Sequence, residues 1–289
     1  MDTAAIRDVK NAADEVAIVP FSDRHLPGAH KLSMALSWPY RVEDWAFALK
    51  LGEGLALEQN GEVVGTAAWF PYGEDGATIG MIIVSNALQG RGYGARLMDA
   101  LLSAAGSRTI LLNATAEGKA LYLRRGFNPV GTIHQHHGIL PGRVDAPPAE
   151  IVRPMAVSDF DAILKLDREA TGFERRPLLE QLLAVGETDL LLQDGEVAGY
   201  AISRVWGRGH VVGPVVAPGA DEARHLVAAA LSRLESRFVR IDTDVETGLS
   251  PWLESLGLPM VSDALVMVRG TLHKSGPAQL FALSNQSLN

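Results

Sequence analysis

The sequence predicts an α/β (α+β) protein built from two tandem copies of one fold, each a mixed sheet flanked by helices. Three observations carry that expectation. β-Rich runs alternate with stretches of helical periodicity along the whole chain. Paired markers recur at one spacing: Pro20 and Pro154, Gly61 and Gly195, and Gly65 and Gly199 each lie 134 positions apart. Between the halves, "LPGRVDAPPAE" (140–150) has three prolines and little apolar content, and reads as a linker. The expected domains are therefore residues 1–142 and 143–289.

In the first half, a strand at 16–20 ends on Pro20, and Ser22-Asp23 opens a helix near 22–36. A second helix spans 42–50. A hairpin turning on Asn60-Gly61 joins strands at 54–59 and 62–70, and another strand runs over 77–85. A loop with Gly90, Gly92 and Gly94 leads into a helix at 94–105, where Leu97, Leu101, Leu102, Ala104 and Ala105 supply a buried stripe. A strand at 108–113, a helix at 117–125 and a last hairpin around 127–139 complete the unit. The second half repeats the order. It has helices near 158–170 and 176–185, a β-rich stretch at 189–217, a helix at 221–236 and a strand at 238–243. A short helix at 250–256 and a strand at 261–269 follow.

Composition narrows the function. With 289 residues, 47% apolar and 21% charged, the chain can fill two cores of about 140 residues each and is not disordered. It has no cysteine, which excludes disulfides, thiolate metal sites and a cysteine nucleophile, and suits a reducing cytoplasm. The start, "MDTAAIRDVKNAADEVAIV", lacks the pattern of a signal peptide. No window approaches the ~18 apolar residues of a membrane span. A net charge of −8 argues against nucleic acid and is compatible with a cationic small substrate. The expectation is a cytoplasmic protein with no membrane or nucleic-acid partner.

The glycine loop carries the chemistry. Glycines allow positive φ and let backbone N–H groups converge on an anion, and the helix that follows adds unpaired N–H groups and its dipole. A Walker loop would end in Gly-Lys-Ser/Thr, whereas Gly94 is followed by Ala95-Arg96. A dinucleotide fingerprint should follow the first strand of its unit, and this loop follows three earlier strands. With Gln89 included, "QGRGYG" fits Gln-x-x-Gly-x-Gly, and about 28 residues past Gly94 comes "ALYLRRGF" (120–127). On these motifs the region 16–139 resembles the GCN5-related N-acetyltransferase (GNAT) superfamily. The resemblance implies a mostly antiparallel sheet and acetyl-coenzyme A (acetyl-CoA) as acyl donor.

By that resemblance, Gln89, Gly90, Arg91, Gly92, Tyr93, Gly94 and Ala95 cradle the pyrophosphate. Ile82, Ile83 and Val84 present their backbone to the pantetheine arm. Tyr122 matches the family tyrosine whose hydroxyl serves as general acid toward the departing thiolate. A phenol with pKa near ~10 is protonated at neutral pH and suits that role. Thr115 stands where the family often has an asparagine, and Asn113 is close by. Glu74 is a candidate base by its position. The acceptor implied is the amine of a small molecule, attacking the thioester directly. A non-catalytic acyl-CoA-binding regulator, or acetylation of protein lysines or N-termini, are the alternatives. "HQHH" places His134 and His136 on one strand face, near a substrate or in a wall. Two histidines are too few for a metal, and none is expected.

The second half lacks the loop: after "GPVVAP" (213–218) comes "GADEARHLVAAAL", with acidic Asp221 and Glu222 where a phosphate would lie. Leu253 takes the tyrosine position. "GFERRPLLEQLL" and "GPVVAP" are similar to the C-terminal domain of tandem bacterial acetyltransferases of the YitH/HolE-like kind. This implies a domain that has lost the cofactor loop and shapes the acceptor site or stabilises the fold. Asp242 and Asp244, on one strand face, are candidates to grip a cationic substrate. The oligomeric state is left open.

Overall fold

The computed structural model describes residues 16–289; the expectation that the first residues form no signal peptide lies outside the described residues. Asp-Gly and Asn-Gly turns set the repeat. In the first half β2 (Glu53–Gln59) and β3 (Glu62–Tyr72) are joined by Asn60 and Gly61 at φ +54° and +81°. In the second, β8 (Glu187–Gln193) and β9 (Glu196–Trp206) are joined by Asp194 and Gly195 at +52° and +83°. Two left-handed residues in succession match the twist of the flanking strands, which is why both hairpins hold the same register.

Around these hairpins each half builds the same frame. The first has β1 (Ala17–Pro20), α1 (Leu26–Ala35), α2 (Val42–Leu49), β4 (Gly76–Val84), α3 (Tyr93–Ala105), β5 (Thr109–Ala114), α4 (Lys119–Leu123) and β6 (Asn128–Ile139). The second has β7 (Val152–Pro154), α5 (Phe160–Thr171), α6 (Arg176–Val185), β10 (Gly209–Ala217), α7 (Ala220–Leu231), β11 (Phe238–Asp244), α8 (Ser250–Ser255), β12 (Met260–Arg269) and β13 (Gln279–Ala282). The helix expected near 22–36 begins as a 3-10 turn at Asp23–His25, because Pro27 suits only the first turn of α1. The helix expected to reach 236 ends at Leu231.

The described strands form one mixed, mostly antiparallel sheet, β1-β2-β3-β4-β5-β12-β6-β11-β13-β10-β9-β8-β7. Its middle is an exchange between the halves. β12 lies between β5 and β6, pairing Leu265 with Ala114 and Ala264 with Ile133. β6 in turn lies between β12 and β11, with Asp242 opposite Gln135. The hairpin expected at 127–139 is thus a single strand. The Pro129–Gly131 segment is a bulge, where the register against β12 shifts.

Three clusters of buried side chains hold the sheet. One, on the face shared by α1, α2, α5 and α6, joins residues of both halves, among them Trp45, Phe70, Tyr200 and Trp206. The other two lie under α3–α4 and under α7–α8. β13 and the residues after it have no counterpart in the expected elements, since nothing in "PAQLFALSNQSLN" is periodic enough to mark a strand. They are nevertheless among the most buried of the chain, with Ala282, Ser284 and Asn285 at 0–1% exposure.

Candidate functional site

The site begins where two parallel strands part. β4 and β5 pair only over Gly76–Thr78 and Thr109–Leu111, and beyond that the β5-side edge of β4 has no ladder partner among the described residues. Met81 bulges there at φ +55°, unusual for a side-chain-bearing residue, and the β3 register shifts beside it. Ile82, Ile83 and Val84 run along this open edge, so their backbone can take an added strand.

At the end of β4 the chain turns through Gln89, whose Nε2 donates to Val84 O (3.3 Å) and Asn86 Oδ1 (3.1 Å). Gly90 and Gly92 take φ +75° and +83°, and a Cβ added to either would meet nothing within 4 Å. Gly92 caps α3 without a side-chain hydrogen bond, and the first main-chain bond of the turn is Arg96 N–H to Gly92 O. The N–H groups of Tyr93, Gly94 and Ala95 therefore point out of the helix end, unpaired among the described residues. Arg91 and Arg96 are exposed beside them, Arg96 over the Tyr93 ring at 5.4 Å. Open space, free donors and positive charge fit a pyrophosphate.

Between the parted strands is a cavity of about 300 Å³. Ile79–Ile82 of β4 and Leu112 and Asn113 of β5 line it, as do Thr115 and Tyr122. Tyr122 is 9% exposed and packs edge-on to Phe127 at 6.0 Å, and its hydroxyl makes no hydrogen bond among the described residues. Burial pushes its hydroxyl up to about 12. Trp38 and Tyr40, between α1 and α2, close one wall. The second half supplies the rest: Arg240 of β11, Ser262 and Asp263 of β12, and Gln286 and Ser287 beyond β13.

That last segment is held by its main chain. Carbonyls of Ser284, Gln286, Ser287, Leu288 and Asn289 accept from Arg204, Asn113, Thr78, Tyr72 and Arg175 in turn. Asn113 donates to Gln286 O at 2.9 Å, and its Oδ1 is buried without a partner. In the second half the gap corresponding to the β4–β5 opening is filled. β10 and β11 pair at His210–Val211 and Val239–Arg240, then part, and β13 lies between them. Leu253 is buried where the first half has Tyr122, and α7 begins at Gly219 with Asp221 and Glu222 in its first turn.

Other residues expected at the site lie elsewhere. Glu74 is exposed in the β3–β4 turn, at the end of β4 opposite the glycine loop, and does not line the cavity. His134 and His136 face α8 instead: Nδ1 of one and Nε2 of the other lie 2.9 and 2.6 Å from Ser250 Oγ. Asp242 is fully buried and held by Arg240, Nη2 to Oδ2 at 2.6 Å. Asp244 caps a short turn through Glu246 N–H and lines a separate cavity of about 420 Å³. No group of three metal-ligating side chains occurs among the described residues.

Two family descriptions match the chain, both of an acetyltransferase (GNAT) domain, at residues 51–129 and 163–282. Together they take in about two thirds of it, one in each half. The chain belongs to the GNAT acetyltransferases. It is a tandem GNAT protein and an acyltransferase. An N-acetyltransferase of Bacillus subtilis strain 168, YitH, itself uncharacterised, is 26% identical over 94% of this chain and 98% of its own. The Holothin acyltransferase of a Pseudoalteromonas species is 25% identical over 79% and 84%. A solved structure from Pyrococcus horikoshii matches with a TM-score of 0.79 over 100% of both chains at 19% identity, a likeness of fold. No helix among the described residues is long and apolar enough to cross a membrane.

Proposed function

We propose that this GNAT protein transfers the acetyl group of acetyl-CoA to the amine of a small molecule, by direct attack of the nitrogen on the thioester. The observation that carries the reading is the cavity itself. It runs from the open edge of β4 past Tyr122 to a polar wall, and the unpaired N–H groups of α3 lie at the end of the same strand. Bound there, acetyl-CoA supplies an acetyl thioester. The loop Gln89–Ala95 holds the pyrophosphate, Ile82–Val84 align the pantetheine, and Thr115 lines the passage. A half-closed cavity between the parted strands suits a small-molecule acceptor. The relative named for holothin supports the same class. Catalysis is assigned to residues 1–142, and residues 143–289 bind no coenzyme, since β13 occupies their gap. The cysteine-free chain suits a reducing cytoplasm.

Tyr122 acts as a hydrogen-bond donor to the sulfur. An ordinary alkyl thiol has a pKa near ~8.5, so complete transfer from a phenol at about 12 runs uphill by roughly 5 kcal/mol. Donation without full transfer still stabilises charge growing on sulfur. The reading is tested by calorimetry with acetyl-CoA and by free-thiol release across a panel of small amines. One coenzyme per chain and thiol release with at least one amine are expected. No thiol release with any amine, while acetyl-CoA binds, would point to a sensor and sink the transferase reading.

A further inference from the structure

Part of the cavity wall is supplied by the half that lacks the glycine loop. Among the described residues, two charged side chains line the cavity, Arg240 and Asp263. Arg240 is neutralised in place by Asp242, with its Nε 3.0 Å from both carboxylate oxygens. Asp263 is exposed, and its carboxylate makes no hydrogen bond or ion pair among the described residues. It sits on β12 two residues before Leu265, the residue opposite Ala114 at the end of β5. Strand alternation gives it the face of Leu265 and Met267, which pack in the cluster containing Tyr122. Its cross-strand neighbour, His134, is engaged with Ser250. A lone carboxylate therefore stands where β5 has ended and the chain turns toward α4. Trp38 and Tyr40 face the same space, their rings 6.4 Å apart and edge to face.

Resting on the acetyltransferase reading, we infer that Asp263 receives the acceptor's ammonium group and positions its nitrogen, and that the acceptor is a primary alkylammonium on a flat apolar body. Charge pairing in a half-closed cavity selects the cation, and aromatic faces add attraction for it. The ammonium sheds two protons in the reaction. One is lost to water from the ammonium that Asp263 holds. The nitrogen lone pair then forms the C–N bond as the C–S bond breaks, and the second proton ends on the departing sulfur.

The test compares Asp263→Asn and Asp263→Glu with the wild type, using phenethylamine, a cation at pH 7.5, and aniline, which is neutral there. Calorimetry without coenzyme should show phenethylamine binding to the wild type and at least tenfold weaker binding to Asp263→Asn, with partial recovery in Asp263→Glu. KM for phenethylamine should rise by the same factor, while the acetyl-CoA Kd, the melting temperature and aniline turnover stay unchanged. Equal phenethylamine binding in Asp263→Asn, or none in the wild type, overturns the inference and leaves the transferase reading standing. Failure of acetyl-CoA to bind, or of any amine to release thiol, would instead remove the transferase reading.

Discussion

Tyr122 is held by burial rather than by a partner, and that decides how its ionisation behaves. The fold disfavours the charged phenolate, so the proton is held more tightly than in the unfolded chain and ionisation moves up to about 12. Loss of the donor therefore belongs at pH values above those where the amine, with pKa near ~10, has become neutral. The expected rate climbs from pH 7 toward 10 with no descending limb in that range. Tyr122→Phe should lower kcat about 100-fold and leave the shape of the profile and the acetyl-CoA Kd unchanged. Thiol release measured across pH checks both, and a wild-type decline near pH 9 that vanishes in the variant would show an early-ionising phenol and refute the donor role. That Tyr122 would stand near the cavity was legible in the sequence because its signal is local, a tyrosine in "ALYLRRGF" at a fixed distance from a glycine loop. Asp263, Gln286 and Ser287 were not, since no spacing marks residues that reach the cavity from another part of the chain. His134, His136 and Asp242 mislead for the converse reason: their residue types suggest chemistry, and their partners Ser250 and Arg240 are distant in sequence or buried with them.

Among the elements, the loop between β4 and α3 separates binding from stability. At Gly92 a new side chain meets nothing within 4 Å, yet φ +83° places the residue where an L-amino acid costs about 1–2 kcal/mol. Aspartate tolerates that conformation better than most residues, and its carboxylate would sit at the unpaired N–H groups of α3. Gly92→Asp should therefore keep the melting temperature within a few degrees while weakening acetyl-CoA at least 100-fold, because the carboxylate occupies and charges the anion's place. Calorimetry paired with thermal melting reads both, and coenzyme bound as tightly as in the wild type would refute the assignment of the loop. The repeated hairpins were equally plain in the sequence, as Asn-Gly and Asp-Gly have few alternatives to the turn they make. β13 was not: its stability comes from β10 and β11 on either side, and from donors such as Arg204 that grip the segment after it. The hydrogen bonds of the Arg204 guanidinium among the described residues go to carbonyls, it lies over the Phe47 and Trp206 rings, and burial pulls it down to about 9.

At the scale of the whole molecule, two halves readable as separate domains share one sheet. β6 belongs to the first half by sequence, and both of its neighbours, β11 and β12, belong to the second. A first half cut at 142 would keep β6 with neither partner and would leave one edge of β5 bare. It would also strip Asn113, Thr78 and Tyr72 of the carbonyls to which they donate. A bare twelve-residue strand is an aggregation edge, and each buried group left unsatisfied costs about 1–3 kcal/mol against a total stability of only ~5–15. Residues 1–142 expressed alone should therefore be insoluble or lack a cooperative melt, and should not bind acetyl-CoA. Co-expression with residues 143–289 should restore both, because the second piece brings β12 back beside β5 and returns Asp263 and Gln286 to the cavity. Solubility, melting and calorimetry on the single and paired pieces decide it. If the first piece alone melted cooperatively and bound the coenzyme as the full chain does, the exchange would be ornamental to folding. The pairing β12 makes is invisible to any local pattern, since a strand predicted at 261–269 is the same whichever half it joins. What the exchange adds is a reason for the second copy to persist without a glycine loop: the first half completes neither its sheet nor the wall of its cavity alone.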